Sequence, residues 1–477
     1  MPLELIVDKP DIMSRLKSSD TTRVIYDDFY SGLNFTLELS QDTMFDIFGC
    51  WNSNCTDRLY TDHMGSHQQA ILSKLLNSND SKYNKTNKIR FLIGDNIYYE
   101  KSLKKIQKEN KEQLNNFTLN DVTTELAGTN FVKLARDLID NGFGCFSAAP
   151  SFMALGNHDV EYPFILQYQI MKCFKDVQIN GNKVNFGDWI LPNAFYSVKM
   201  NIGAISLLFI IIDTNLLDPE EYIDFFSKSE KDEYKKKMED WFESTLRENT
   251  SSVKIVLGHI PIFYYAHMKN KDKDKTKEEI EKEKVEKKEK VEKKEKVEKK
   301  EKVEKKEKVE KKLQIESRYN DFIKLYEIMI EHNVSTYMCA DEHNMQVLQD
   351  LEHGINHIIC GASPGGGGSD EAYNLDKINL CFSNKIIEVP ELQKKFNKKI
   401  IINAPSFTHL IVHPSLLQFN IVSSSNLTLH HKEEYCKDRK CLVATPIAQT
   451  YEIITTPKYR DIIAVYNCAE FDTKICS

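Results

Sequence analysis

Five short polar clusters hold residue types suited to metal-assisted hydrolysis. They are Phe48-Gly49-Cys50-Trp51-Asn52, Ile93-Gly94-Asp95-Asn96-Ile97-Tyr98-Tyr99, Leu155-Gly156-Asn157-His158-Asp159, Leu257-Gly258-His259-Ile260-Pro261 and Cys339-Ala340-Asp341-Glu342-His343-Asn344-Met345-Gln346. A carboxylate such as Asp95 has two oxygens and can bridge two cations. Asn157 offers a neutral oxygen, and His259 and His343 are borderline ligands for Zn, Fe or Mn. A Tyr98 phenolate would favour ferric iron. Two cations about 3.5–4 Å apart hold a phosphate and lower the pKa of a shared water. His158, beside Asn157, stands where it could protonate a leaving group. Each cluster alone has a plainer reading. Gly-Asn-His-Asp can be a turn and helix cap, Gly-Asp-Asn a loop, and a histidine after a strand a satisfied structural residue. The order of all five carries the argument.

What positions them is a repeated strand-then-cluster pattern. Apolar runs at Thr43–Phe48, Ile89–Ile93, Phe152–Leu155 and Val253–Leu257 predict strands that end in the first four clusters, and Thr336–Cys339 ends in the fifth. Ligands of α/β sheets gather at the carboxyl ends of strands. Helical spacing is read at Ser66–Leu76, Phe131–Ile139 and Asp321–His332. Further strands are expected at Ala204–Ile212, His357–Cys360, Thr408–His413 and Leu417–Val422. Alternation of this kind predicts an α/β sandwich with more β structure towards the end of the chain.

These blocks resemble those of the calcineurin-like metallophosphoesterases, and within them the purple (tartrate-resistant) acid phosphatases. That group is marked by Gly-Asp-Asn-Phe-Tyr, Gly-Asn-His-Asp, Gly-His-x-Pro and Gly-His-Asp-His-Asn-x-Gln. The chain has Gly94 to Tyr98 with Ile97 for Phe, Gly156 to Asp159 intact, and Gly258 to Pro261. Ile212-Asp213-Thr214 and Cys360-Gly361-Ala362-Ser363 are secondary matches, and the resemblance spans roughly Met44 to Val422. It implies a four-layer α/β/β/α sandwich and two divalent or trivalent metal ions (Fe, Zn or Mn). One metal position would take Cys50, Asp95, Tyr98 and His343; the other would take Asp95, Asn157, His259 and Asp341. His158 would be the general acid, oriented by Asp159. The family's pocket histidine, nine residues after that of the fourth block, falls on Met268, with His267 one residue early.

Two of these positions depart from the family. Cys50 stands for an aspartate and Asp341 for a histidine. A Cys50 thiolate keeps the charge and softens its position towards Zn or Fe; Asp341 adds a negative charge and hardens the other towards Mn or Mg. The expected activity is metal-dependent hydrolysis of phosphomonoesters. The alternative is a catalytically impaired phosphatase fold used as a binding or scaffold protein, which the resemblance to the eroded blocks of glideosome-associated anchor proteins also implies. A phosphodiesterase acting on a nucleotide or lipid headgroup is a third reading.

The remaining sequence sets the boundaries. The 477 residues suffice for one large domain or two ordinary ones. A formal charge of −7 gives no case for nucleic-acid binding. Residues 269–312 are a low-complexity insertion, with 21 lysines against 15 acidic residues. Val285, Val291, Val297, Val303 and Val309 recur every sixth residue, a step of about 120° around a helix, so no apolar stripe forms for a coiled coil. The segment reads as a charged surface insertion, with a protein-binding arm as the sharper alternative. The expected organisation is an N-terminal extension over 1–40, a metallophosphoesterase domain over 41–432 interrupted by 269–312, and a C-terminal tail over 433–477. No membrane span and no signal peptide are read, which favours a cytoplasmic location. The 11 cysteines, an odd number without a C-x-x-C pair, are expected reduced, with Cys436 and Cys441 the pair able to close a small loop.

Overall fold

The computed structural model describes, with short interruptions, residues 4–7, 29–51, 87–98, 139–266 and 318–361, a few positions near 72 and 76, and the strands between 379 and 466. The expected helices over Ser66–Leu76 and Phe131–Ile139 lie largely outside the described residues, as do His267, the insertion, Cys436 and Cys441. Among the described residues no helix is long and apolar enough to cross a membrane.

Two mixed sheets, of 11 and eight strands, make up most of the described structure. At the centre of the eight-stranded sheet, Thr43–Phe48, Asn87–Ile93 and Ser151–Ala154 run parallel. All six residues of Thr43–Phe48 are buried, as expected for a parallel strand covered on both faces. In the 11-stranded sheet, Ile205–Ile211, Val253–Leu257, Thr336–Cys339 and Asn356–Cys360 are parallel neighbours. The sheets meet through aromatic side chains. Phe209 of one stacks on Phe91 of the other with centroids 4.4 Å apart and lies 5.4 Å from Phe45. Burial of each such ring contributes roughly 1.5–3 kcal/mol.

Helices flank the sheets. Lys228–Glu248 begins at a capping box, in which Ser227 Oγ accepts from Glu230 N and Glu230 Oε2 accepts from Ser227 N. It buries Tyr234, Met238, Phe242, Thr245 and Leu246, one face at helical spacing. With the helix over 320–331 it closes on Ile212 and Leu217, leaving only a small gap between them. On the eight-stranded side, Pro163–Phe174 is tied in where Leu191 N donates to Cys173 Sγ at 3.1 Å. The architecture is the expected α/β sandwich.

The sheets reach beyond the expected domain span of 41–432. Leu5–Val7 and Leu33–Leu39 join the 11-stranded sheet, the latter parallel to Tyr196–Ile202. Ala448–Thr455 and Ile462–Tyr466 extend the eight-stranded sheet. Leu33, Phe35 and Leu37 are buried and alternate with Asn34, Thr36 and Glu38. That period of two was present in the sequence, but no chemical motif follows it to mark it as part of the domain.

Candidate metal centre

The carboxyl ends of the five motif strands converge, and backbone hydrogen bonds join them. Cys50 N donates to Gly94 O at 3.0 Å and Ala340 N to His259 O at 2.8 Å. Gly49 N donates to Cys360 O at 2.8 Å, which crosses from one sheet to the other. His259 Nδ1 lies 3.0 Å from Ile93 O, also across the sheets. That contact leaves Nε2 facing the centre. Cys50, Asp95 and Asp341 each leave their strand with a positive φ, 53°, 53° and 59°. Non-glycine residues adopt this conformation at a cost of about 1–3 kcal/mol and cluster at functional sites. Glycines let the strand ends approach this closely. A Cβ on Gly156 would lie 2.1 Å from Asp95 N, and one on Gly94 would lie 2.4 Å from His259 Nδ1.

Asp95 is buried at the middle, and its two oxygens face different ligand sets. Oδ1 lies 3.2 Å from His259 Nε2. That same nitrogen is 3.2 Å from Asn157 Oδ1 and 3.7 Å from Asp341 Oδ1. Oδ2 accepts from Tyr98 OH at 2.6 Å and is 3.7 Å from Cys50 Sγ. Tyr98 OH is 3.5 Å from His343 Nε2. Ligand atoms of Cys50, Asp95 and His343 all lie within 4.8 Å of one another. Ligands about 2.0–2.3 Å from one cation are themselves roughly 3–4 Å apart, so Cys50, Asp95 and His343 stand close to the spacing of one cation's ligands.

The protonation states follow from this crowding. Burial opposes the charge of Asp95, but His259 and then His158 outweigh it and hold the carboxyl far below its ordinary range. Burial likewise opposes charge on His259, yet Asp95 prevails and raises its pKa to about 10. Burial, then the charge of Asp95, pushes the Cys50 thiol and the Tyr98 phenol up. Without metal the centre therefore holds a carboxylate and an imidazolium, with thiol and phenol neutral. A cation on the Cys50 side would reverse that preference, since a coordinating thiol loses its proton outright.

Asp159 stands elsewhere than expected. It ends the turn Asn157–Asp159, and its buried carboxylate accepts from Gly156 N at 2.7 Å, Asn96 N at 3.0 Å, Asn96 Nδ2 at 3.1 Å and Gln169 Nε2 at 3.0 Å. Trp51 Nε1 donates to Asn96 Oδ1 at 3.0 Å. This polar knot ties the first three motif loops together, which is a positioning role. The His158 ring instead meets Glu161, Nδ1 to Oε2 at 3.3 Å. Glu161 escaped the sequence reading, although its three-residue spacing from His158 was a usable signal. Replacing Asp159 with alanine would strip four donors of a buried acceptor. An unsatisfied buried group costs about 1–3 kcal/mol, so a loss of roughly 3 kcal/mol or more is expected in a urea titration.

Residues 45–292 match the family described as calcineurin-like phosphoesterase. The chain belongs to that family. Its fold is that of the superfamily's metal-dependent hydrolases, and Cys50, Asp95 and His343 are its candidate metal-binding triad. The fifth cluster lies beyond the matched span and enters the centre through the fold. No curated protein matches the chain. Among solved structures it is similar to GAP50 of Plasmodium, described as the anchor in the inner membrane complex, at 14% identity and TM-score 0.40 over 91% of this chain and 90% of that one. It is similar to purple acid phosphatase PPD1 from seeds of yellow lupin (Lupinus luteus), at 13% and 0.38 over 81% of this chain and 52% of that one. PhoD gives 10% and 0.45 over 92% and 76%.

Proposed function

We propose that this calcineurin-like phosphoesterase hydrolyses phosphomonoesters at a two-metal centre built on Asp95. The observation that carries the reading is the division of donors between the two oxygens of Asp95, with Asn157, His259 and Asp341 on one side and Cys50, Tyr98 and His343 on the other. Bound there, two cations would polarise the phosphate and lower the pKa of an attacking water. The chain's own residues do the rest. Asp95 holds its negative charge at the centre and His259 is fixed by Ile93 O. His158, part-buried at the edge beside Tyr98 with ring centroids 4.8 Å apart, is the proton donor for the leaving alkoxide. In the metal-free protein its pKa is raised above the ordinary value, where burial is outweighed by Asp95 and then Glu161.

The test is hydrolysis of an aryl phosphate by metal-stripped protein given back Mn, Zn or Fe, beside a matched diester. Turnover of the monoester that depends on added metal is expected, with a smaller rate on the diester. The replaced ligands at Cys50 and Asp341 favour a second reading, a non-catalytic binding protein on the same fold. Verified loading of two metals without turnover of either ester would select it.

A further inference from the structure

The two departures from the family's ligand pattern fall on opposite sides of Asp95. Cys50 brings sulfur to the Oδ2 side, where Tyr98 and His343 stand. Asp341 brings oxygen to the Oδ1 side, which then holds three oxygen donors, from Asp95, Asn157 and Asp341, and one nitrogen from His259. Thiolates select Zn-type cations, whereas carboxylate and carbonyl oxygens suit Mn and Mg. Cys50 is not an isolated thiol. It is wholly buried and held by the Gly94 backbone, with its sulfur 3.7 Å from the bridging carboxylate. Asp341 is aimed in the same way, its Oδ1 3.7 Å from His259 Nε2.

We infer that the hardness of the two positions is exchanged in this chain, so that the Cys50 side takes a zinc-class cation through a thiolate and the Asp341 side takes Mn(II) or Mg(II). Loading the first releases the thiol proton to solvent. The positions are therefore not equivalent, and each prefers a different class of metal. The inference rests on the two-metal reading above but is read without turnover.

The test uses the metal-stripped full chain, with Co(II) standing in for zinc. One equivalent of Co(II) is expected to produce an intense thiolate-to-cobalt absorption band in the near ultraviolet. Mn(II) added to protein carrying one equivalent of Zn(II) is expected to bind as a second equivalent, seen as loss of the free Mn(II) EPR signal, with no zinc released. Cys50→Ser removes the band. Asp341→Ala, which removes the oxygen donor altogether, keeps the band but weakens Mn(II) by about a hundredfold or more, because even loss of a residue that only supports a ligand costs about 10–100-fold. Circular dichroism checks that both variants are folded; should Cys50→Ser unfold, Asp341→Ala decides alone. Cobalt bound without the band, Mn(II) displacing zinc, or Asp341→Ala leaving Mn(II) affinity unchanged would each overturn the inference. Hydrolysis without the band would sink the thiolate while sparing the proposed activity. Band and second equivalent without hydrolysis would do the reverse.

Discussion

For the proposed two-metal centre, Asp95→Asn is expected to remove both metal equivalents together and to lower phosphomonoester hydrolysis by more than about 10³-fold. Removal of a single electrostatic donor from a catalytic centre costs about 10²–10³; in the proposed centre Asp95 would serve two cations, so its loss would exceed that range. The amide matches the carboxylate in size, keeps one oxygen and loses the charge. Metal content by elemental analysis is the direct readout. Substitutions facing one oxygen behave differently. Asn157→Ala removes one equivalent and leaves the other, because Asn157 meets only the Oδ1 side. If Asp95→Asn retained both metals, Asp95 would not be the bridge and the site would have to be rebuilt around another residue.

The metal-free protein loses stability as pH rises from about 6.5 to about 10. His259 has an ordinary pKa of about 6.5 and a folded value near 10, since Asp95 at 3.2 Å outweighs burial. A group whose pKa is raised on folding contributes its full stabilisation below the unfolded pKa. The contribution fades as pH climbs through the folded value. With about 1.4 kcal/mol per unit, the loss is on the order of 5 kcal/mol. The depressed pKa of Asp95 reports the same contact from the other partner, so the two are counted once. Urea midpoints in a chelator, taken across this window, measure the effect. In Asp95→Asn the part of the slope that comes from His259 should be lost. A cation bound at His259, as the proposed centre has it, would work in the opposite direction: it would replace the proton, and its affinity would rise through the same pH range.

The chemistry was more legible than the boundaries. Val253–Leu257 and Thr336–Cys339 coincide with the expected strands, because short β-rich apolar runs ending in Gly or a polar cluster leave little choice of element. Residues 1–40 and 433–477 were expected to lie outside the domain, yet both carry strands of the two sheets. Leu33–Leu39 pairs with Tyr196–Ile202, far along the chain. No local pattern specifies a partner at that separation.

From sequence alone came the list of donors and the two places where it departs from the family, because ligand chemistry belongs to the side-chain type. The division of those donors into two sets was already implied by the family resemblance; tertiary structure supplied the distances, with one set at Oδ1 and the other at Oδ2 of Asp95. Cys50, Asp95 and Asp341 are turned by a left-handed residue at three strand ends, from two sheets held in contact by Phe45, Phe91 and Phe209. A rotation at any one of those ends would move a donor to the other side of the carboxylate. Tertiary structure also placed Asp159 in the loop-tying knot and Glu161 against His158. A carboxylate's partner is set by the direction its backbone gives it, and that direction is fixed here by the packing of the two sheets.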